Sequence, residues 1–213
     1  LVPDSEKRAA IQRMVDSVSL DHKGHVATGI FGTKYLLNML SATSNNDVAY
    51  RMVDQKEFPG WGHMLENGAT TLWETWAQSD NVYSQNHPMF GMVSEWFFKS
   101  LGGIEPSSRA RGYDHFSIAP FMATDLDWVE AKYESVRGTI SSRWKRENRK
   151  VTLHIEVPVN TTAVVRIPTS NADSLQVDGK PVSELKTVNM LAGSPAGLVE
   201  IELGSGRYQF TAA

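Results

Sequence analysis

The stretch TISSRWKRENRKVTLHIEV, residues 139–157, decides the fold of the second half of the chain. Apolar and polar side chains alternate on both sides of a polar turn at Glu147-Asn148. A period of two places alternate residues on one face of a strand, so the stretch reads as an antiparallel hairpin. The same period continues at 161–167, TTAVVRI. Asp178-Gly179 gives a tight-turn signal between Leu175-Gln176-Val177 and Pro181-Val182, and Gly204-Ser205-Gly206 separates residues 199–203 from 208–210. Several short strands punctuated by turns predict an antiparallel β-sandwich.

Upstream, the period changes near residue 105. Ala10, Ile11, Met14, Val15 and Val18 recur at three- and four-residue steps, as one helix face does, with capping candidates at Pro3-Asp4-Ser5. A second helix is expected over 33–42, with Leu36, Leu37 and Leu40 inward, and a third from Asn46, with Val48, Met52 and Val53 inward. A short fourth helix is expected to open at Thr70-Thr71, and a fifth at Pro88 to end before Gly102-Gly103. The fold class is therefore α+β in two parts: helices over 1–104, then the sandwich over 105–213.

The balance of 41% hydrophobic and 21% charged residues is that of a globular chain rather than a disordered one. The formal charge of -3 gives no basic field for a nucleic acid. The basic run Arg143, Lys145, Arg146, Arg149 and Lys150 reads instead as a solvated strand edge. No apolar run is long enough to cross a bilayer, so no membrane partner is expected. Cysteine is absent, and no histidine pair or carboxylate run has metal-binding spacing, so no metal or cofactor is expected. The glycines at 24, 29 and 32 lack the lysine ending of a phosphate loop.

Chemistry concentrates in residues 58–96, FPGWGHMLENGATTLWETWAQSDNVYSQNHPMFGMVSEW. It holds Trp61, Trp73, Trp76, Trp96, His63, His87, Glu66, Glu74 and Glu95. Aromatic rings beside carboxylates suit sugars, whose C–H faces pack on rings while their hydroxyls need polar partners. A tryptophan-rich helix core with solvated acids is the competing explanation. Glu74 has two readings as well. Thr71-Leu72-Trp73-Glu74 matches a capping box, in which the glutamate bonds back to its own helix start. Between Trp73 and Trp76, however, a carboxylate in apolar surroundings becomes a better proton acceptor. His87, between Asn86 and Pro88, reads equally as a helix-start cap or a core residue. In the strand region, Trp128, Tyr133 and Trp144 are either sugar platforms or core.

Four ordered blocks resemble the bacterial α-L-rhamnosidases of glycoside hydrolase family 78: TGIFGT at 28–33, ENGATTLWE at 66–74, NHPMFG at 86–91 and SEW at 94–96. A weaker match follows at SVRG, 135–138. The resemblance implies an (α/α)6 toroid followed by a C-terminal β-sandwich, of which this chain would carry a partial toroid and the sandwich. It implies inverting hydrolysis of terminal α-L-rhamnosyl linkages in a rhamnose-containing glycan or glycoside. By motif match Glu74 takes the place of the general base and His87 that of a histidine contacting bound rhamnose. The family's general acid, also a glutamate, has no counterpart here, because it belongs to an upstream part of the barrel. The isolated chain is accordingly expected to be inactive, and either to self-associate through exposed helical surface or to rearrange its helices. The alternatives are an α/α-barrel glycosidase for another sugar and a carbohydrate-binding sandwich with a helical appendage. The compartment, periplasm or cytoplasm of a bacterium, stays open.

Overall fold

The computed structural model describes residues 2–79, 82–148, 150–169, 172–185, 188–191, 193–194 and 197–212. The chain divides into two compact units, residues 1–96 and 97–213. Among the described residues no helix is long and apolar enough to cross a membrane.

In the first unit α1 spans Lys7–Asp16 and passes into a π-type turn over Ser17–Asp21. Its expected stripe of Ile11, Met14 and Val15 is only half-buried, and Val18 alone is fully covered. Helix α2, Gly32–Ala42, buries Thr33, Leu37 and Leu40; α3, Asn46–Val53, buries Val48, Ala49 and Met52. Both follow the apolar spacing closely. Helix α2 packs on α3 and on α5, Met92–Trp96. The corner is pinned by the Trp96 indole, whose Nε1 donates to Ser41 Oγ (3.0 Å) and Asn46 Oδ1 (3.3 Å). The opposite face of α2 carries Phe31 and Tyr35, 73% and 71% exposed, with Met39 one turn on.

Three elements differ from expectation. The helix expected from Pro88 opens as a 3-10 turn, Pro88–Gly91, and is α-helical only over Met92–Trp96. A helix not foreseen, α4, spans Trp61–Glu66 and buries Trp61 and Met64. Its six residues are too few to show a period. The helix expected to open at Thr70-Thr71 is absent; this segment lies in bends and extended backbone.

The second unit opens with a π-type turn, Phe97–Leu101, closed by Gly103 at φ 72°. A methyl group at Gly103 would fall 2.2 Å from the Pro120 nitrogen, so only glycine fits both the left-handed backbone and the close approach. The strands are β1 Ile104–Pro106, β2 His115–Ile118, β3 Trp128–Ser135, β4 Gly138–Glu147, β5 Lys150–Val157 and β6 Thr162–Pro168. They continue as β7 Gln176–Val177, β8 Lys180–Pro181, β9 Asn189–Met190, β10 Leu198–Leu203 and β11 Gly206–Ala212.

One sheet has the order β1-β2-β6-β10-β9 and the other β3-β4-β5-β11-β7-β8. Their inner faces share a core that includes Phe116, Ile118, Val165 and Ile201 from one and Ile140, Trp144, Leu153 and Phe210 from the other. Burial alternates along β4, β6 and β10, which is the period-two signal made physical. The hairpin pairs Glu147 with Lys150, with Asn148 at φ 48° in its turn, and Asp178 (φ 50°) and Gly179 (φ 78°) join β7 to β8.

The sandwich is not wholly antiparallel. Strands β2 and β6 pair in parallel, His115 opposite Thr162 through Ile118 opposite Val165. Gly204-Ser205 does not close a hairpin; β10 and β11 lie in different sheets, and the turn carries the chain across. The basic run is also not a strand edge. Strand β4 lies between β3 and β5, and Arg146 donates to the carbonyls of Met122 (2.9 Å) and Ala123 (3.0 Å) while lying over the Trp144 ring. Arg149 lies outside the described residues. Trp144 is fully buried and is core, whereas Trp128 is 61% exposed.

Candidate active site

Residues 71–74 and 84–87 face each other as two legs of an irregular ribbon. The Glu74 amide donates to the Ser84 carbonyl (2.9 Å), and the Ser84 amide returns a bond to Glu74 Oε2 (2.9 Å). Further along, the His87 amide donates to the Leu72 carbonyl (2.8 Å), and Thr71 Oγ1 donates to the Gln85 carbonyl. These bonds explain the missing helix. The Glu74 amide, which a capping box would direct at Thr71, is taken by Ser84, and the Thr71 hydroxyl faces the other leg. Pairing across the loop has displaced the local cap.

An aromatic wedge supports both legs. The Trp76 ring stacks on Phe90, centroids 3.7 Å apart, and meets Trp61 edge-on at 5.0 Å. Trp61 Nε1 donates to the Phe90 carbonyl (3.0 Å) and Trp76 Nε1 to the Thr28 carbonyl (2.8 Å). Both indole N–H groups therefore serve the fold. With Trp61, Trp73, Trp96 and Phe90 buried, this aromatic density is mainly core; Trp76 is half-buried. Gly91 belongs to the same wedge, since a Cβ there would sit 3.3 Å from the Leu72 side chain.

Glu74 is half-buried directly after buried Trp73, on bends rather than at a helix start. One carboxylate oxygen holds the Ser84 amide, which fixes its orientation and leaves Oε1 for another partner. His87 is half-buried and extended, and caps the single turn Pro88–Gly91 by accepting the Met89 amide at Nδ1 over a long 3.4 Å. In the neutral ring that arrangement leaves the N–H on Nε2. The two residues expected at the site thus stand on facing legs of one ribbon.

Other acids of the region are placed differently. Glu66 is exposed at the end of α4, and Glu95 pairs with Lys34 at 2.8 Å, holding that ammonium above its ordinary value by hydrogen bond and charge. Asp80 lies outside the described residues. Among the described residues no group of three or more acidic or histidine side chains could hold a metal. Sequence reasoning missed Ser84, which orients the carboxylate, and Thr28, which anchors Trp76. Ser84 acts through its backbone, and no side-chain pattern announces that. The Thr28 block was visible only as a shared motif.

Comparison with known proteins places these residues in a family. Residues 1–101 match the profile of the bacterial α-L-rhamnosidase six-hairpin glycosidase domain, and 103–180 that of the bacterial α-L-rhamnosidase C-terminal domain. An α-L-rhamnosidase of Streptomyces avermitilis is 35% identical over 99% of this chain and 20% of its own length. One from Formosa agariphila is 31% identical over 100% of this chain and 23% of its own. The crystal structure of the Streptomyces avermitilis α-L-rhamnosidase complexed with L-rhamnose superimposes with a TM-score of 0.89 at 33% identity, over 100% of this chain and 20% of that one. The α-L-rhamnosidase structure from Dictyoglumus thermophilum gives 0.87 at 28% identity, over 99% and 24%. The chain spans about a fifth of the length of these relatives. The helices and the antiparallel-rich sheets that follow them match a part of these structures, and the chain belongs to the bacterial α-L-rhamnosidase family as a C-terminal portion.

Proposed function

We propose that this chain is part of an inverting α-L-rhamnosidase that releases terminal α-L-rhamnose, with Glu74 as general base and His87 as a sugar contact. In this reading residues 1–104 end the catalytic barrel and 105–213 form the appended sandwich. The supporting observation is the ribbon that sets Glu74 and His87 on facing legs, in a unit that matches the glycosidase domain.

Glu74 Oε1 accepts a proton from water as the water oxygen attacks the anomeric carbon. A second carboxyl group, supplied by the upstream part of the barrel, protonates the departing oxygen on the opposite face. Inversion requires the two groups to stand ~6.5–9.5 Å apart, leaving room for the water. The Ser84 amide holds Glu74 in place, and the Nε2–H of His87 donates to a sugar hydroxyl. The exposed face of Phe31, Tyr35 and Met39 on α2 fits packing against further barrel helices, and in their absence self-association.

The anomer formed first tests the stereochemistry. With a polypeptide carrying the whole catalytic domain, proton NMR of an early time course should show β-L-rhamnose before mutarotation. Formation of the α-anomer first would mean retention, and would make Glu74 a nucleophile or remove it from the reaction.

His87→Ala, in a polypeptide carrying the whole catalytic domain, should raise KM about 2–10-fold, the value of one lost hydrogen bond of ~0.5–1.5 kcal/mol. Its melting temperature should change little, because the cap it provides is long. An unchanged KM with a lowered melting temperature would make His87 a cap only.

A further inference from the structure

The outer face of the β3-β4-β5-β11-β7-β8 sheet holds a cleft of 310 Å³, at the lower end of the size range of small-ligand sites. Register builds it. Ser141, Glu156 and Arg207 lie in one row across β4, β5 and β11; His154 and Gln209 lie in the next. The neighbours Ile155 and Phe210 point into the core, so the named residues point out. Asp178, in the β7–β8 turn, closes the side: its amide donates to the Gln209 carbonyl (2.8 Å) and its Oδ1 accepts the Gln209 amide (2.9 Å).

The electrostatics select the ligand. Arg207 is paired with Glu156 at 3.1 Å, Lys132 and Arg143, which continue the two rows on β3 and β4, face Glu130, and Asp178 adds a further carboxylate, so among the described residues the cations around the cleft are matched by acids and an anion gains little. The cleft falls short of a metal site among the described residues. A purely apolar ligand would strip water from Ser141, His154, Glu156, Asp178 and Gln209 without replacing their hydrogen bonds, while the apolar surface of Ile155 and Tyr208 suits the C–H face of a ring. A vicinal diol fits, because each hydroxyl both donates and accepts: an adjacent carboxylate and guanidinium take the pair, and the His154 ring, Gln209 amide and Ser141 hydroxyl take the rest.

We propose that this cleft is a second, non-catalytic binding site for a neutral sugar ring, carried entirely by the sandwich. The choice of L-rhamnose as probe rests on the proposed function; the chemistry of the cleft does not.

The test uses the whole chain and the ring-proton NMR signals of its six histidines, with His154 assigned by its loss in His154→Ala. L-rhamnose, D-glucose and sodium sulfate are titrated separately. The proposal expects the His154 signal to move saturably with at least one of the sugars, with Kd about 1–10 mM, and not with sulfate. The movement should persist in His87→Ala, which separates it from the proposed active site. It should vanish in Arg207→Ala, whose His154 signal and melting temperature remain those of the parent chain. An unmoved His154 signal with both sugars, or movement with sulfate only, would overturn the proposal. So would a sugar response abolished by His87→Ala, which would place binding at the ribbon.

Discussion

Glu74→Gln, in a polypeptide that carries the complete catalytic domain, is expected to lower kcat by about 10²–10⁴-fold, the usual contribution of a general acid–base group. Substrate binding and the fold should be retained. The glutamine carbonyl can still accept the Ser84 amide that Glu74 Oε2 accepts now, so the ribbon keeps its geometry. What is lost is the ability to take a proton from water. Glu74→Ala separates basicity from shape more sharply. Azide is a nucleophile that needs no deprotonation, and it should restore turnover while yielding the inverted β-glycosyl azide. Unchanged turnover in Glu74→Gln would remove Glu74 from the mechanism. A loss accompanied by a collapsed melting temperature in both variants would make it a brace for Ser84.

Trp144→Ala should produce the largest loss of stability in the second unit. The side chain is fully buried on β4 at the centre of the sandwich core, and large-to-small changes of this kind cost about 3–5 kcal/mol. Trp144 Nε1 also donates to the Leu101 carbonyl (3.1 Å), at the end of the π-type turn where helical carbonyls lack partners. An orphaned buried acceptor adds about 1–3 kcal/mol. A domain's whole stability is about 5–15 kcal/mol, so the variant should be largely unfolded or close to it. Trp144→Phe keeps most of the volume but still orphans the Leu101 carbonyl, so it should retain that part of the cost, about 1–3 kcal/mol, and lose most of the cavity part. Urea unfolding of the pair measures both parts. Equal midpoints for Trp144→Ala and the parent would contradict the packing described.

Much of the fold was legible because its elements bury one face each. Leu37 and Leu40 on α2, Val48 and Met52 on α3, and the alternation from Ile140 to Val157 are local records of a long-range core. The turn at Asp178-Gly179 was legible because left-handed backbone selects those residue types. The illegible parts are those whose bonds run between distant segments. The 71–74 leg reads as a helix start until Ser84 and Gln85 take its donors. The parallel pairing of β2 with β6 joins residues far apart in sequence, and neither strand carries a mark of its partner. Glu74 and His87 were singled out by a shared motif; periodicity alone left a capping box and a capping histidine standing beside them. One of those readings survives in part, since His87 does cap Pro88–Gly91.

In the proposed mechanism this chain holds one carboxylate of a pair. That reading is tested most directly by adding an activated aryl α-L-rhamnoside to the purified 213-residue chain, and to the same chain joined to the upstream part of the family's catalytic domain. The chain alone should release no aryl group, the longer polypeptide should turn over, and its Glu74→Gln form should lose that turnover. Release by the chain alone, abolished by Glu74→Gln, would overturn that reading, and the search for a second acid would then turn to Glu66, Asp80 and Glu95.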